Sequence, residues 1–380
     1  MRLALLLYKY FPYGGMQRDF RRFVEELQAL GHECRVYYIS WQGESLPGAE
    51  LRQVSVRAMS NHRRNELYLD WVQRDLAADP VDGVIGFNKM PGLDVYYAAD
   101  SCYLDKALEE RGPLYRRSAR FRHFAAYEQA VFGAGSDTEI LLISETEKDK
   151  FVRHYHTPES RMHMLPPGIS EDRRRPPDAV ARRRAKREQL DLAEGDFTLL
   201  FVGSGFIKKG LDRAIRSVAR IRQDQPSESP RLLVVGQDKT RRFQRLAKKL
   251  GVGDEVRFLG GRDDVPDLLL AADVLLHPAL DEAAGIVLLE ALVAGLPVVV
   301  TDVCGYAHHI KASRGGLVLP SPFGQDLCYR AVMRMLDGVY RADCREAALL
   351  YAHLTDLYSM HKTGAALIEQ CIQDGAGRRD

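Results

Sequence analysis

A chain of 380 residues is long enough for two domains of ordinary size, and with 46% hydrophobic residues it can bury a core in each. Its 54 basic and 52 acidic side chains leave a net charge of +2, which excludes a global field for recruiting nucleic acid, so any basic site has to be local. The six cysteines, Cys34, Cys102, Cys304, Cys328, Cys344 and Cys371, are scattered, without Cys-x2-Cys pairs or histidines at zinc spacing. That pattern argues against a disulfide framework or a structural metal and for reduced thiols in the cytosol.

The opening MRLALLLY carries one arginine and six apolar residues ahead of Lys9, too few for the core of a signal peptide. No stretch approaches the length that crosses a bilayer, so the expectation is a cytosolic protein, with peripheral membrane contact left open. Leu3 to Tyr8 reads as a buried strand, the run to Gly14-Gly15 as a turn, and Met16, Phe20, Phe23, Val24, Leu27 and Leu30 as one face of a helix ended by Gly31. Strand, glycine turn and helix make the first βα unit of a doubly wound α/β domain, in which ligands lie beyond the carboxyl ends of the strands. Gly14 and Gly15 let backbone approach a substrate. Asp19, in the first helical turn, is either a helix-dipole partner or a site residue.

Val54 to Val56 and Val84 to Phe87 are the next strand candidates. The run FNKMPGLDVYYAADSCYLDK ends an apolar segment at Asp100, where a carboxylate either positions or deprotonates a hydroxyl or sits in a surface turn. Leu114 to Phe132 carries the most distinctive local charge pattern. On a continuous helix Leu114, Phe121, Phe124, Ala125, Val131 and Phe132 share a face, Arg116, Arg120 and Arg122 flank it, and Arg117 lies within it. Cations beside an aromatic face suit a helix lying in an anionic membrane surface, with Arg116, Arg117, Arg120, Phe121, Arg122 and Phe124 in contact. The other reading is an internal helix packed on the sheet.

Leu141 to Ser144 is expected to close the first sheet, and His163 to Ile169, with Pro166-Pro167, to be a stiff linker. Residues 1–168 then form an amino-terminal domain and residues 169–355 a carboxyl-terminal one. Arg173 follows the linker closely and is nominated as a phosphate or donor contact; the cluster Arg182 to Arg187 reads as a solvated helix. Thr198 to Val202 restarts the βα rhythm and leads through Gly203-Ser204-Gly205-Phe206-Ile207-Lys208-Lys209-Gly210 into a helix. This is not a Walker loop, because no Gly-Lys-Ser/Thr closes it. Leu232 to Val235 and Val256 to Leu259 are further strands, each ending in a glycine turn, the second of them followed by Arg262. From Asp326 to Cys371 the chain reads as mostly helical.

Between them lies HPALDEAAGIVLLEALVAGLPVV, from His277 to Val299. Glu282 precedes a helix carrying Ile286, Val287, Leu289, Leu292 and Val293, and Glu290 lies inside it. Ala283, Ala284 and Gly285 are small enough for close approach of a ligand. At 1.5 Å per residue the carboxylates are about 12 Å apart along the axis, roughly the span from sugar to ribose in a nucleotide diphosphate sugar, with the unpaired N–H groups of the helix start between them. Two solvated glutamates are the plain alternative.

The whole string resembles the Glu-x7-Glu signature of retaining glycosyltransferases with the GT-B fold, the large family four. GGMQRDF…LQALGHECRVY resembles the same family's amino-terminal signature, and the loop ending in Lys209 its Gly-Arg…Lys-Gly loop, with Ser204 where many members have arginine. The resemblance implies two Rossmann-like domains facing a cleft, with a last helix, about residues 356–380, returned to the first. It implies that Glu282 touches the donor sugar, Glu290 the ribose, and Lys209, helped by Lys208 or Arg173, the diphosphate. Backbone near Gly14, Gly15, Ala283, Gly285 and Ile286 would hold phosphates, Arg262 would contact the base, and Asp19 and Asp100 would orient hydroxyls.

The runs YKYFP, GFNKMPGLDVY, LPPGI, VVGQDK and CGYAH are similar to the branch that glucosylates the lipopolysaccharide core. That implies a UDP-sugar donor, an inner-core heptose acceptor, the cytosolic face of an inner membrane and no nucleic acid. It also implies no cofactor or metal, in keeping with the lack of an Asp-x-Asp motif. UDP-galactose or a UDP-N-acetylhexosamine is the alternative donor. A nucleotide-sugar epimerase of the same fold and a non-catalytic lipid-binding protein are the rivals, and a carboxylate nucleophile is the rival mechanism.

Overall fold

The computed structural model describes residues 1–12, 14–225 and 230–376, so Tyr13 of the first turn and residues 377–380 of the expected last helix lie outside the described residues. The chain divides into two units, residues 1–168 with 359–380 and residues 169–358.

The first unit runs β1 (Arg2–Leu6), β2 (Lys9–Tyr10), α1 (Gly15–Ala29), β3 (Glu33–Tyr38), β4 (Ser40–Trp41), β5 (Glu50–Gln53), α2 (Asn61–Ala78), β6 (Gly83–Gly86) and β7 (Val95–Ala98). It continues through α3 (Tyr103–Glu110), α4 (Ala119–Phe132), β8 (Glu139–Leu142), α5 (Glu145–Tyr155) and β9 (Met162–Met164). Seven strands pair in the order β5-β3-β1-β6-β7-β8-β9, every neighbour parallel. Continuous apolar strands such as β1, buried from Leu3 to Leu6, are what a sheet covered on both faces requires.

The second unit holds α6 (Ala179–Gln189), β10 (Thr198–Val202), α7 (Leu211–Asp224), β11 (Arg231–Val235), α8 (Arg241–Lys249), β12 (Val256–Gly260), α9 (Val265–Ala271) and β13 (Val274–His277). There follow α10 (Ile286–Ala294), β14 (Val298–Thr301), α11 (Ala307–Ser313), β15 (Gly316–Leu319), α12 (Gln325–Leu336) and α13 (Gly338–Leu354). Its six strands pair in parallel as β12-β11-β10-β13-β14-β15. Alternate residues feed two cores: Leu200, Leu233 and Leu275 pack with α9 and α10, while Leu199, Phe201 and Leu276 pack with α7 and α12. Helices therefore cover both faces, as in a doubly wound sheet. The last helix, α14 (Met360–Ala376), belongs to the first unit, where His361 lies edge-on to Phe23 of α1. Among the described residues no helix is long and apolar enough to cross a membrane.

Several expectations are corrected. The strand expected at Val54 to Val56 is Glu50–Gln53 instead; at the edge of the sheet beside β3 it tolerates a polar sequence, and the chain turns away after the Val54 N–H reaches Tyr38 O at 2.7 Å. The first sheet closes not at β8 but at β9, built from Met162 and the first two residues assigned to the linker, His163 and Met164. The cluster Arg182 to Arg187 is not merely solvated. Arg183 donates to the carbonyls of Leu270, Ala271 and Ala272, and Arg187 to that of Ala271, so cations satisfy the carboxyl end of α9.

The helix expected over Leu114 to Phe132 is broken. Residues Pro113–Arg117 form a 3-10 turn, and Ser118, in extended conformation, caps α4 by accepting from Phe121 N at 3.1 Å. Val131 and Phe132 are core residues, Phe132 stacked on Phe151 at 3.6 Å, and the half-buried Phe121 and Phe124 pack against Tyr103. The apolar face points inward. Leu114, Arg116, Arg117, Arg120 and Arg122 stay exposed.

Candidate functional site

In the second unit the strand order reverses at β10, with β11 on one side and β13 on the other, which places the ligand crevice beyond the carboxyl ends of β10 and β13. Both strands open there into loops tied to each other. Gly210, at φ 71°, ends the first loop so close to the second that a Cβ would lie 2.0 Å from Pro278 O. Leu280 N donates to Lys208 O at 2.6 Å.

The two loops bring Lys209 and Glu282 into direct ionic contact, with side chains 20% and 17% exposed. Burial, with the charge of Lys208 adding to it, pulls Lys209 below the ordinary lysine range, and Cys304 and Asp281 nearby work the other way. Lys208 pairs instead with Asp281 at 3.4 Å and is largely exposed. Ser204, in the place of the expected arginine, accepts from Gln237 N at 3.2 Å and so joins the glycine loop to the turn after β11.

A third loop clamps the second. Gly305 N donates to Glu282 O and Tyr306 N to Ala284 O, and Thr301 Oγ1 donates to Ala279 O. Gly285, at φ 87°, turns the chain into α10. Ile286 opens this helix, Val287 to Ala294 are buried, and among them Glu290 is only 9% exposed. Its Oε1 lies 3.7 Å from Arg173 Nε, and the two side chains line a cavity of about 110 Å³ together with Arg175, Asp267 and Ala294. Arg173 thus joins Glu290 and not Lys209. Arg262 forks onto Asp264 at 2.7 and 2.6 Å, and this bond, with Lys186, holds Asp264 far below the usual carboxylate range.

In the first unit Gly14 precedes α1 and Gly15 opens it, with no side-chain cap and no atom within 4 Å of a Cβ placed on Gly15. Asp19 is engaged on both oxygens: Tyr97 donates to Oδ2 at 2.8 Å, and His361 Nε2 lies 3.0 Å from Oδ1. Asp100 stands exposed just beyond β7. Its loop is held by a group the sequence did not single out, the fully buried Glu128, which accepts from the backbone N–H groups of Tyr103 and Leu104 and from Tyr155 and Lys89. A glutamate among the mostly apolar residues of the second half of α4, Ala125 to Phe132, was the available signal.

Also missed were His277, fully buried at the end of β13, and a grouping of Glu139, His163 and Cys371 whose ligand atoms lie within 4.8 Å of one another. The last is assembled from three distant segments, which spacing along the chain does not reveal.

Comparison with known proteins shows the family and the fold. The family described as "Glycosyl transferases group 1" matches residues 182–349. The lipopolysaccharide glucosyltransferase WaaG of Escherichia coli (strain K12) is 46% identical over 97% of this chain and 98% of its own length. The crystal structure of WaaG, a glycosyltransferase involved in lipopolysaccharide biosynthesis, superposes with a TM-score of 0.89 at 46% identity over 96% of this chain and 99% of that one. Sucrose-phosphate synthase from Thermosynechococcus elongatus, 18% identical, shares the fold with a TM-score of 0.77 over 98% of this chain and 99% of its own.

Proposed function

Because the chain belongs to the group 1 glycosyl transferases, we propose that it moves glucose from UDP-glucose to a heptose of the lipopolysaccharide inner core, with retention and without a metal ion. The observation that carries the reading is the meeting of Lys209 and Glu282 at the strand-order reversal of the second unit, with Glu290 inside the helix that follows Glu282 and Arg173 facing it from a separate turn. The name of the 46% identical relative supports the acceptor class.

In this reading Glu282 binds the hexose hydroxyls and Glu290 the ribose, while the backbone at Ala283, Gly285 and Ile286 meets phosphate. As the bond from the anomeric carbon to the diphosphate breaks, the acceptor oxygen bonds to that carbon on the same face, and the acceptor proton passes to the departing diphosphate. Lys209 stabilises the charge that develops on it, a role suited to a partly buried cation that is already positioned before reaction. In the first unit Gly14 and Gly15 admit close backbone approach and Asp100 takes an acceptor hydroxyl. Asp19, with both oxygens occupied, acts as an anchor for α1.

The exposed Arg116, Arg117, Arg120 and Arg122, with Leu114, form the surface for an anionic membrane on the cytosolic side. Incubating the protein and a heptose-terminated acceptor with UDP-glucose, UDP-galactose or UDP-N-acetylglucosamine, with chelator present, tests the reading. Product with an α-linked glucose supports it; no product from any donor, or an inverted linkage, refutes it.

A further inference from the structure

His277 closes β13 and is fully buried, its ring 6.2 Å from that of Phe201 at an interplanar angle of 24°. Neither ring nitrogen has a hydrogen-bond partner, although a buried N–H without one is rare in folded proteins. Nε2 lies 3.5 Å from Glu282 Oε2, the same oxygen that Lys209 contacts. Lys209 and Glu282 therefore neutralise each other. A diphosphate changes that balance: once Lys209 turns to the phosphates, the carboxylate is left partly buried and short of a donor, free to rotate away from the sugar.

We propose that His277 is a positioning residue that takes over Glu282 when the donor draws Lys209 away, its Nε2–H closing on Oε2 and fixing the carboxylate toward the sugar hydroxyls. The inference rests on the donor assignment above and deepens it. It explains why a histidine with no partner of its own stands at the end of an apolar strand, a few ångströms from the proposed sugar-binding carboxylate. Burial keeps the ring neutral, so that one nitrogen carries a proton and the contact does not depend on pH in the neutral range.

Three substitutions test this. Gln places an amide N–H near the position of Nε2, Asn is too short to reach Glu282, and Phe fills the volume without a donor. His277→Phe and His277→Asn are expected to lower kcat about 10- to 100-fold while the Kd for UDP and the melting temperature stay close to wild type, and His277→Gln to recover most of the loss. Wild-type kcat in His277→Phe, or equal activity in the Asn and Gln variants, would overturn the proposal. So would a parallel fall of kcat, UDP affinity and melting temperature in all three, which is the mark of a packing role. A wild-type protein without turnover would instead overturn the donor assignment and, with it, this inference.

Discussion

Lys209 and Glu282 stand 73 positions apart in the chain and are in ionic contact, each at the end of a loop leaving one of two adjacent parallel strands. Removing the carboxylate takes away the proposed sugar contact but leaves the cation for phosphate. Glu282→Ala should therefore cut turnover by about 10²- to 10³-fold while UDP binds as well as before or more tightly. Turnover and UDP titration on one preparation check this; loss of both in equal measure would make Glu282 a structural residue.

His277 and His309 are buried and held neutral, depressed to about 3 and about 4 chiefly by loss of solvent. Between those values and about 6.5 the unfolded chain binds protons at both positions and the folded chain does not, so stability falls as pH drops below about 6.5. The slope is about 1.4 kcal/mol per pH unit for each ring. Urea midpoints at pH 7 and pH 5 should show the loss, and His309→Gln should reduce it. A midpoint as high at pH 5 as at pH 7 would show that these rings titrate normally.

Asp19 joins α1 to Tyr97 of β7 and His361 of α14. Asp19→Ala should cost about 1–3 kcal/mol of stability by stranding the Tyr97 hydroxyl and the His361 ring, and Asp19→Asn less. Thermal denaturation measures the cost. An unchanged melting temperature with abolished turnover would return Asp19 to direct contact with substrate.

The exposed arginines of the 3-10 turn and of α4 and the half-buried phenylalanines beside them should separate in experiment. Replacing Arg116, Arg117, Arg120 and Arg122 by alanine should weaken binding to phosphatidylglycerol vesicles by about fivefold per residue, with the effect vanishing at high salt, and leave the fold intact. Phe121→Ala and Phe124→Ala should lower stability through their contacts with Tyr103. Undiminished cosedimentation of the fourfold variant would place the membrane surface elsewhere.

Much of the architecture was legible because each βα unit announces itself: an apolar strand, a glycine turn and a 3.6-period helix recur along both units, and Glu282 ahead of α10, Glu290 within it and the lysine of the loop after β10 carry their own pattern. What escaped depends on partners distant in sequence. Whether Val54 or Glu50 enters the sheet is decided by which residues find Tyr38 and its neighbours on β3, and a single capping serine, Ser118, breaks a helix whose apolar period runs straight through it. Arg183 and Arg187 look solvated until α9 supplies carbonyls, Asp19 looks available until His361 arrives from 342 positions away, and the isolation of His277 exists only once the fold has buried it.

The most direct test is calorimetric titration of UDP-glucose into the protein with chelator present, repeated on Lys209→Ala. The account predicts a single-site binding isotherm for the wild type, weakened about 10- to 100-fold by the substitution. No heat with the wild type, or an unchanged isotherm for Lys209→Ala, would contradict it.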